Sequence, residues 1–228
     1  MDLKKNTAGM SIIRKADAAC SKCGTKNEIT IYRSINTAEN PELKEKVRDG
    51  SLFLWKCSSC GQANLSRYET LYHDPDKKIM IWLLPSGSEI SEAQMHSITL
   101  HAKAIGHYTL RLVEDTGSLM EKVITFDAGL DDAVLEICKY VTKMEMASKN
   151  REKAAEIMNA PFHFYALTGE DGGRMITFMY PYDGKMEQVS IGYNVYEDCT
   201  GIMQRNPNIK PGDGFEKIDA VWVQSFFR

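Results

Sequence analysis

Cys20-Ser21-Lys22-Cys23-Gly24 and Cys57-Ser58-Ser59-Cys60-Gly61 are two copies of one pattern, separated by residues 25–56, and they hold four of the chain's six cysteines. In each copy two thiols turn toward one point, and the glycine after the second permits the left-handed backbone that frees amides to hydrogen-bond the sulfurs. Two such knuckles complete a tetrahedral shell, so Cys20, Cys23, Cys57 and Cys60 are expected to bind one structural zinc ion. A four-thiolate shell leaves no position for water or substrate. The strongest motif therefore argues for architecture, and no catalytic residue is assigned. Thiol redox chemistry is the competing reading. A redox Cys-x-x-Cys opens a helix, however, and neither knuckle here is followed at once by a helical pattern.

Working outward, 228 residues at 43% hydrophobic are enough for one large or two small domains. The longest apolar run, Ile79 to Leu84, falls far short of the roughly 18 residues a membrane-spanning helix needs. Met1-Asp2-Leu3-Lys4-Lys5 leads into polar residues instead of an apolar signal core, which makes the cytoplasm the expected address, with Met10 an alternative start to Met1. A reducing compartment favours metal-bound thiolates over disulfides. The formal charge is −3, and residues 1–75 carry 12 Lys plus Arg against 9 Asp plus Glu. So small an excess is a poor match to the basic footprint of a nucleic-acid binder.

Between the knuckles, Glu28 to Arg33 alternates as a strand, and Asn40-Pro41 opens a short helix that Gly50 stops. Leu52 to Lys56, Asn64 to Tyr72 and Lys78 to Leu84 read as further strands, the last two joined by the Asp74-Pro75-Asp76 turn. Ser91 with Gln94 forms a capping box, and Tyr108 to Val113 alternates again. From Asp131, apolar residues at Val134, Ile137, Cys138, Val141 and Met144 predict one long helix reaching Met158. Phe162 to Thr168, Arg174 to Tyr180 and Lys185 to Gly192 predict a meander of hairpins with turns at Glu170-Asp171-Gly172-Gly173 and Tyr182-Asp183-Gly184. The fold class expected is α+β: a zinc-ribbon-like antiparallel β module with a helical insertion over 1–115, then helices and an antiparallel meander over 116–228.

The other reactive side chains have plainer readings. Cys138 sits on an apolar helical stripe and reads as a core thiol, while Cys199 has no partner at ligand spacing. His96, His101 and His107, with His73-Asp74 upstream, are the candidates for a second, catalytic metal. Helical positions five apart face different directions, so hydrogen-bonded or solvated histidines are favoured. No Gly-x-Ser-x-Gly elbow or phosphate-cradling loop occurs, and the aromatics from Phe162 to Tyr196 read mainly as core.

The paired knuckles, Pro41-Glu42-Leu43-Lys44, Leu71-Tyr72-His73-Asp74, Leu119-Met120-Glu121-Lys122 and Leu130-Asp131-Asp132 together resemble the bacterial CpXC domain proteins over roughly the first two thirds of the chain. That family is named for a proline after the first cysteine of each knuckle, and here those places hold Ser21 and Ser58. The resemblance implies a four-cysteine zinc site and a bacterial cytosolic setting, and it implies no activity. The function expected is a non-enzymatic interaction or adaptor module with a protein partner and no membrane association. Two alternatives stand beside it. One is a nucleic-acid-binding ribbon using Lys22, Lys26, Arg33, Lys56 and Arg67, and the other a metal hydrolase using His73, Asp74 and the later histidines.

Overall fold

The computed structural model describes residues 11–88, 90–170 and 172–227; Met1 and Met10, the two candidate starts, and Asp171 of the acidic turn lie outside them. The chain divides into two compact units, 1–120 with 213–216 and 121–212 with 217–228.

The first unit is built on two hairpins whose tips are the knuckles. Strands β1 (Ile12–Ala19) and β2 (Lys26–Asn36) pair antiparallel, with Ala19 opposite Lys26. Helix α1 (Pro41–Arg48) follows, with proline in its first turn, where a missing N–H costs nothing. Asn40 precedes it without capping it; its amide donates to Glu42 instead, at 3.1 Å. Gly50, at φ 75°, stops the helix, and a single 3-10 turn (Ser51–Phe53) leads into the second hairpin, β3 (Leu54–Lys56) and β4 (Ala63–Leu65).

The stretch expected as one strand from Asn64 to Tyr72 is split, because the chain leaves β4 and re-enters the main sheet as β5 (Thr70–Asp74). Then come β6 (Ile79–Leu83), α2 (Glu92–Ile105) behind its capping box, and β7 (Thr109–Val113). The sheet order is β1-β2-β5-β6-β7. It is not the purely antiparallel module expected: β2 pairs β5 in parallel, and β6 pairs β7 in parallel. Parallel neighbours need a long crossover. The α1 and β3–β4 insertion supplies one and α2 the other. Every residue of β6 is buried, as befits a strand deep in the sheet.

Helix α3 (Thr116–Asp127) carries the chain into the second unit. There α4 (Asp132–Lys149) starts at Asp131, whose carboxylate accepts from the amides of Ala133 and Val134. The helix expected to reach Met158 ends at Asn150, and a 3-10 turn (Arg151–Lys153) and α5 (Ala154–Asn159) complete the segment. Strands β8 (His163–Thr168), β9 (Met175–Tyr182) and β10 (Lys185–Gly192) form the expected antiparallel meander, ordered β10-β9-β8. Helices α6 (Tyr193–Arg205) and α7 (Ala220–Gln224) follow. The core gathers Ile137 and Cys138 of α4, Phe164, Ile176 and Phe178 of the sheet, and Cys199 and Val223. Cys138 and Cys199 are both buried free thiols. Of the expected stripe, Val134, Ile137 and Cys138 are buried and Val141 and Met144 are exposed, while Glu136, Lys139 and Lys143 are buried as well. Among the described residues no helix is long and apolar enough to cross a membrane.

Candidate metal centre

Residues 20–25 close the β1–β2 hairpin and residues 57–62 close the β3–β4 hairpin, each in the same way. The amide of Cys20 donates to the Thr25 carbonyl and that of Gly24 to the Cys20 carbonyl; Cys57 to Gln62 and Gly61 to Cys57 repeat the pair, all at 2.9–3.0 Å. Gly24 (φ 73°) and Gly61 (φ 70°) take the left-handed conformation, with nothing within 4 Å of an added Cβ. Backbone geometry, not space, is what selects glycine there.

The tips bring Cys20, Cys23, Cys57 and Cys60 together, all four Sγ atoms within 4.8 Å of one another. Cys20 Sγ lies 3.7 Å from Cys60 Sγ, and Cys23 Sγ 3.6 Å from Cys57 Sγ. Four sulfurs each about 2.3 Å from a shared tetrahedral ion would lie about 3.8 Å apart, so the donor set fits a metal ion. Cys20 and Cys57 are buried, and Cys23 and Cys60 are exposed.

The thiols influence one another. The Cys23 amide, ahead of the opposing effect of burial, draws Cys20 down to about 6, helped by the Lys22 amide, Asn64 and Cys60. The Cys60 amide likewise lowers Cys57. At Cys60 the Gln62 amide favours the thiolate, but the neighbouring sulfurs and burial push it up to about 12. Four thiolates this close do not ionise together without a cation, so loading a metal must displace protons.

Two asparagines outside the knuckle motif complete the centre. Asn64, on β4, reaches the first knuckle, accepting from Ser21 N (2.9 Å) and Ser21 Oγ (2.8 Å) and donating to Cys20 Sγ (3.7 Å). Asn27, on β2, makes the same bonds to Ser58 N (2.9 Å), Ser58 Oγ (2.8 Å) and Cys57 Sγ (3.6 Å). The thiol spacing does not point to them, but a repeat does: each asparagine stands four residues after the second cysteine of its own knuckle.

The remaining candidates separate. Among the described residues, the four cysteines are the one group of His, Cys, Asp and Glu gathered closely enough to hold a metal. His73 bonds the Tyr108 hydroxyl at 3.1 Å, and Asp74 pairs with Lys44 at 2.9 Å while accepting from the Lys77 amide. Of the five basic residues named for nucleic acid, Lys26 and Lys56 line one cleft, joined by Lys46, Tyr32 and Trp55. Arg67 lines another cleft, and Arg33 is paired with Glu69 at 2.7 Å.

The second unit holds a concentration of charge that periodicity does not reveal. Lys122 pairs with Asp132 (2.8 Å) and approaches Glu136 (3.8 Å), while Lys139 pairs with Glu136 (2.7 Å) and with Glu121. Glu121 also accepts from the Phe164 amide (2.8 Å) and bonds His163 Nδ1 (2.9 Å). Burial opposes ionisation of Glu121, but Lys139, His163 and Lys122 overcome it and hold the carboxyl at about 2. At Glu136 burial prevails and raises the carboxyl. This is a paired structural network, since each carboxylate meets a cation.

A model of the CpXC protein family matches residues 18–139, more than half of the chain. No curated protein and no solved structure matches it. The matched stretch begins just before the first knuckle and ends at Lys139, so it takes in both the thiol cluster and the α3–α4 charges. On that match, and with both knuckles inside it, the chain belongs to the CpXC protein family.

Proposed function

We propose that Cys20, Cys23, Cys57 and Cys60 hold one zinc ion, and that the zinc-ribbon-like region they organise is a non-enzymatic interaction module for a protein partner. The observation that carries this reading is the sulfur arrangement at two hairpin tips, with cross-knuckle separations of 3.6 and 3.7 Å. All four positions of a tetrahedral ion are then filled by protein, which suits folding and not turnover. Strands of three residues, as in β3 and β4, cannot hold themselves together, and a metal supplies what their core lacks. The ribbon presents Leu54 and Leu65 directly opposite each other, 55% and 50% exposed, as an apolar contact for a partner.

Elemental analysis of chelator-free protein is expected to give one zinc per chain; two ions, or none, would overturn the reading. Affinity capture with wild-type protein and with Leu54→Glu/Leu65→Glu is expected to lose its partner in the variant at unchanged zinc content. Equal capture by both would remove the ribbon from the interaction.

The cleft that joins Lys26, Lys46 and Lys56 to Tyr32 and Trp55, about 620 Å³ in volume, favours a second reading as a single-stranded nucleic-acid groove, with lysines on phosphates and rings for stacking. Gel shifts with single-stranded DNA and RNA at low salt test it. Binding that Lys46→Glu/Lys56→Glu abolishes would support it, and no shift at low salt would dispose of it.

A further inference from the structure

The duplication at the metal centre is longer than its cysteines. Cys20-Ser21-Lys22-Cys23-Gly24-Thr25-Lys26-Asn27 and Cys57-Ser58-Ser59-Cys60-Gly61-Gln62-Ala63-Asn64 share the pattern Cys-Ser-x-Cys-Gly-x-x-Asn, and each asparagine is committed to the other copy. Both exhaust their side-chain amides identically. Oδ1 accepts the N–H and the Oγ–H of the opposite serine. Nδ2 donates to the first sulfur of the opposite knuckle and to the carbonyl two residues before the asparagine itself, Thr25 for Asn27 (2.8 Å) and Gln62 for Asn64 (2.9 Å). Only an amide supplies two acceptor sites and two donors in one plane. Aspartate would keep the serine bonds, lose the bond to sulfur and set a negative charge against a thiolate shell that already carries excess negative charge.

From this reciprocal bonding, and resting on the reading that the four cysteines bind a metal, we infer that Asn27 and Asn64 are positioning residues of the metal centre, each holding the opposite knuckle's first cysteine and following serine in ligating geometry. The clamp bridges the two hairpins through side-chain bonds that do not pass through the sulfur-bound ion. It also directs an N–H···S bond to the buried cysteine of each knuckle, Cys57 and Cys20, leaving the exposed Cys23 and Cys60 outside its reach. Outer-shell partners of this kind are worth about 10–100-fold in metal affinity.

The test begins with wild-type protein loaded with cadmium-113. A cadmium resonance in the four-sulfur range establishes the ligand set; its absence overturns the ligand reading and the inference together. Given that resonance, scalar coupling from cadmium to the side-chain amide protons of Asn27 and Asn64 is the expected result. Its absence at both asparagines overturns the inference alone. Asn64→Asp and Asn27→Asp then separate positioning from simple bracing. Each is expected to lower zinc affinity by about tenfold or more in chelator competition, and to shift the thiolate-to-metal charge-transfer band of the cobalt-loaded protein, with Asn64→Asp the larger because Asn64 is the more buried. Unchanged affinity and an unchanged cobalt spectrum would reduce both asparagines to loop braces and overturn the assignment.

Discussion

In the first unit four sulfurs meet at the tips of two hairpins, two of them open to solvent, and in the proposed reading the charge they gain on ionising is compensated by a cation from solution. In the second unit Glu121, Asp132 and Glu136 meet Lys122 and Lys139 under near-complete burial, and the chain supplies its own counter-ions. Both clusters gather like-charged groups that repel one another, and both fall within the stretch matched by the family model. They differ in where the compensating charge comes from. An external ion makes folding depend on solution composition, whereas internal lysines make it depend on every partner being present.

Metal removal is the sharpest way to break that comparison, and has the largest expected effect. Structural zinc contributes on the order of 10–16 kcal/mol in small zinc peptides, more than a three-residue ribbon can replace from its own contacts. Under chelation, amide hydrogen exchange is expected to lose protection in residues 20–25, 54–65 and the adjoining half of β2, while β8, β9 and β10 keep theirs. Protection that survives chelation at the knuckles would assign their order to the asparagine clamp and the sheet instead of to the ion.

The same contrast explains what is legible in the sequence. A thiol site is written in local spacing, because two cysteines and a glycine in five residues already specify a knuckle, and the four candidate ligands can be named from the chain alone. The charge network is assembled from α3, α4 and β8, with partners as distant as Glu121 and His163, and no local pattern announces it. It also misdirects the helical reading. The apolar stripe of α4 holds only in its first half, where Val134, Ile137 and Cys138 are buried; Val141 and Met144 are exposed, while Glu136, Lys139 and Lys143, which periodicity assigns to solvent, are buried. Strand β1 escapes sequence reading for a related reason: it is exposed along most of its length, and an alternation that buries nothing leaves no signal. Helices α3, α6 and α7 escape it too, α3 because Glu121, Lys122 and Thr125 interrupt its apolar face while being buried. The clamp asparagines are visible in the sequence only as a repeat, and their role needs the hairpins' spatial arrangement.

Removing one internal counter-ion is the next test in size. Lys139→Met leaves Glu121 and Glu136 buried without their shared cation, which costs about 3–5 kcal/mol in comparable buried pairs. Denaturation followed by tryptophan fluorescence in a Trp55→Phe/Trp82→Phe background, which leaves Trp222 of the second unit as the reporter, is the readout. Adding Glu121→Gln to Lys139→Met is expected to recover part of the loss, because the penalty comes from the orphaned charge and not from the missing lysine stem. A double variant no more stable than Lys139→Met would mean that packing around the lysine, not charge, holds α3 to α4.

Acid gives the smallest effect and the finest distinction, because the two carboxylates that share Lys139 are displaced in opposite directions. Glu136 is raised above 4.5 by burial, so its ionised form costs the folded state something at neutral pH, and that cost is relieved as pH falls through its raised value toward 4.5. Glu121 is held at about 2 against burial by Lys139, His163 and Lys122. Its contribution is complete above 4.5 and is lost as pH falls from there toward 2. The network therefore gains stability on mild acidification and loses it on strong acidification. The two effects fall in successive pH windows, the rise above 4.5 and the loss below it, so one profile separates them. Trp222-monitored denaturation at about pH 6, 4.5 and 3, wild type against Glu136→Gln, isolates the rise. The variant, neutral throughout at that position, is expected to lack the gain on mild acidification while keeping the loss at lower pH. Parallel profiles in the two proteins would show that Glu136 is ionised at neutral pH without cost, and that Lys122 and Lys139 compensate it as fully as they compensate Glu121.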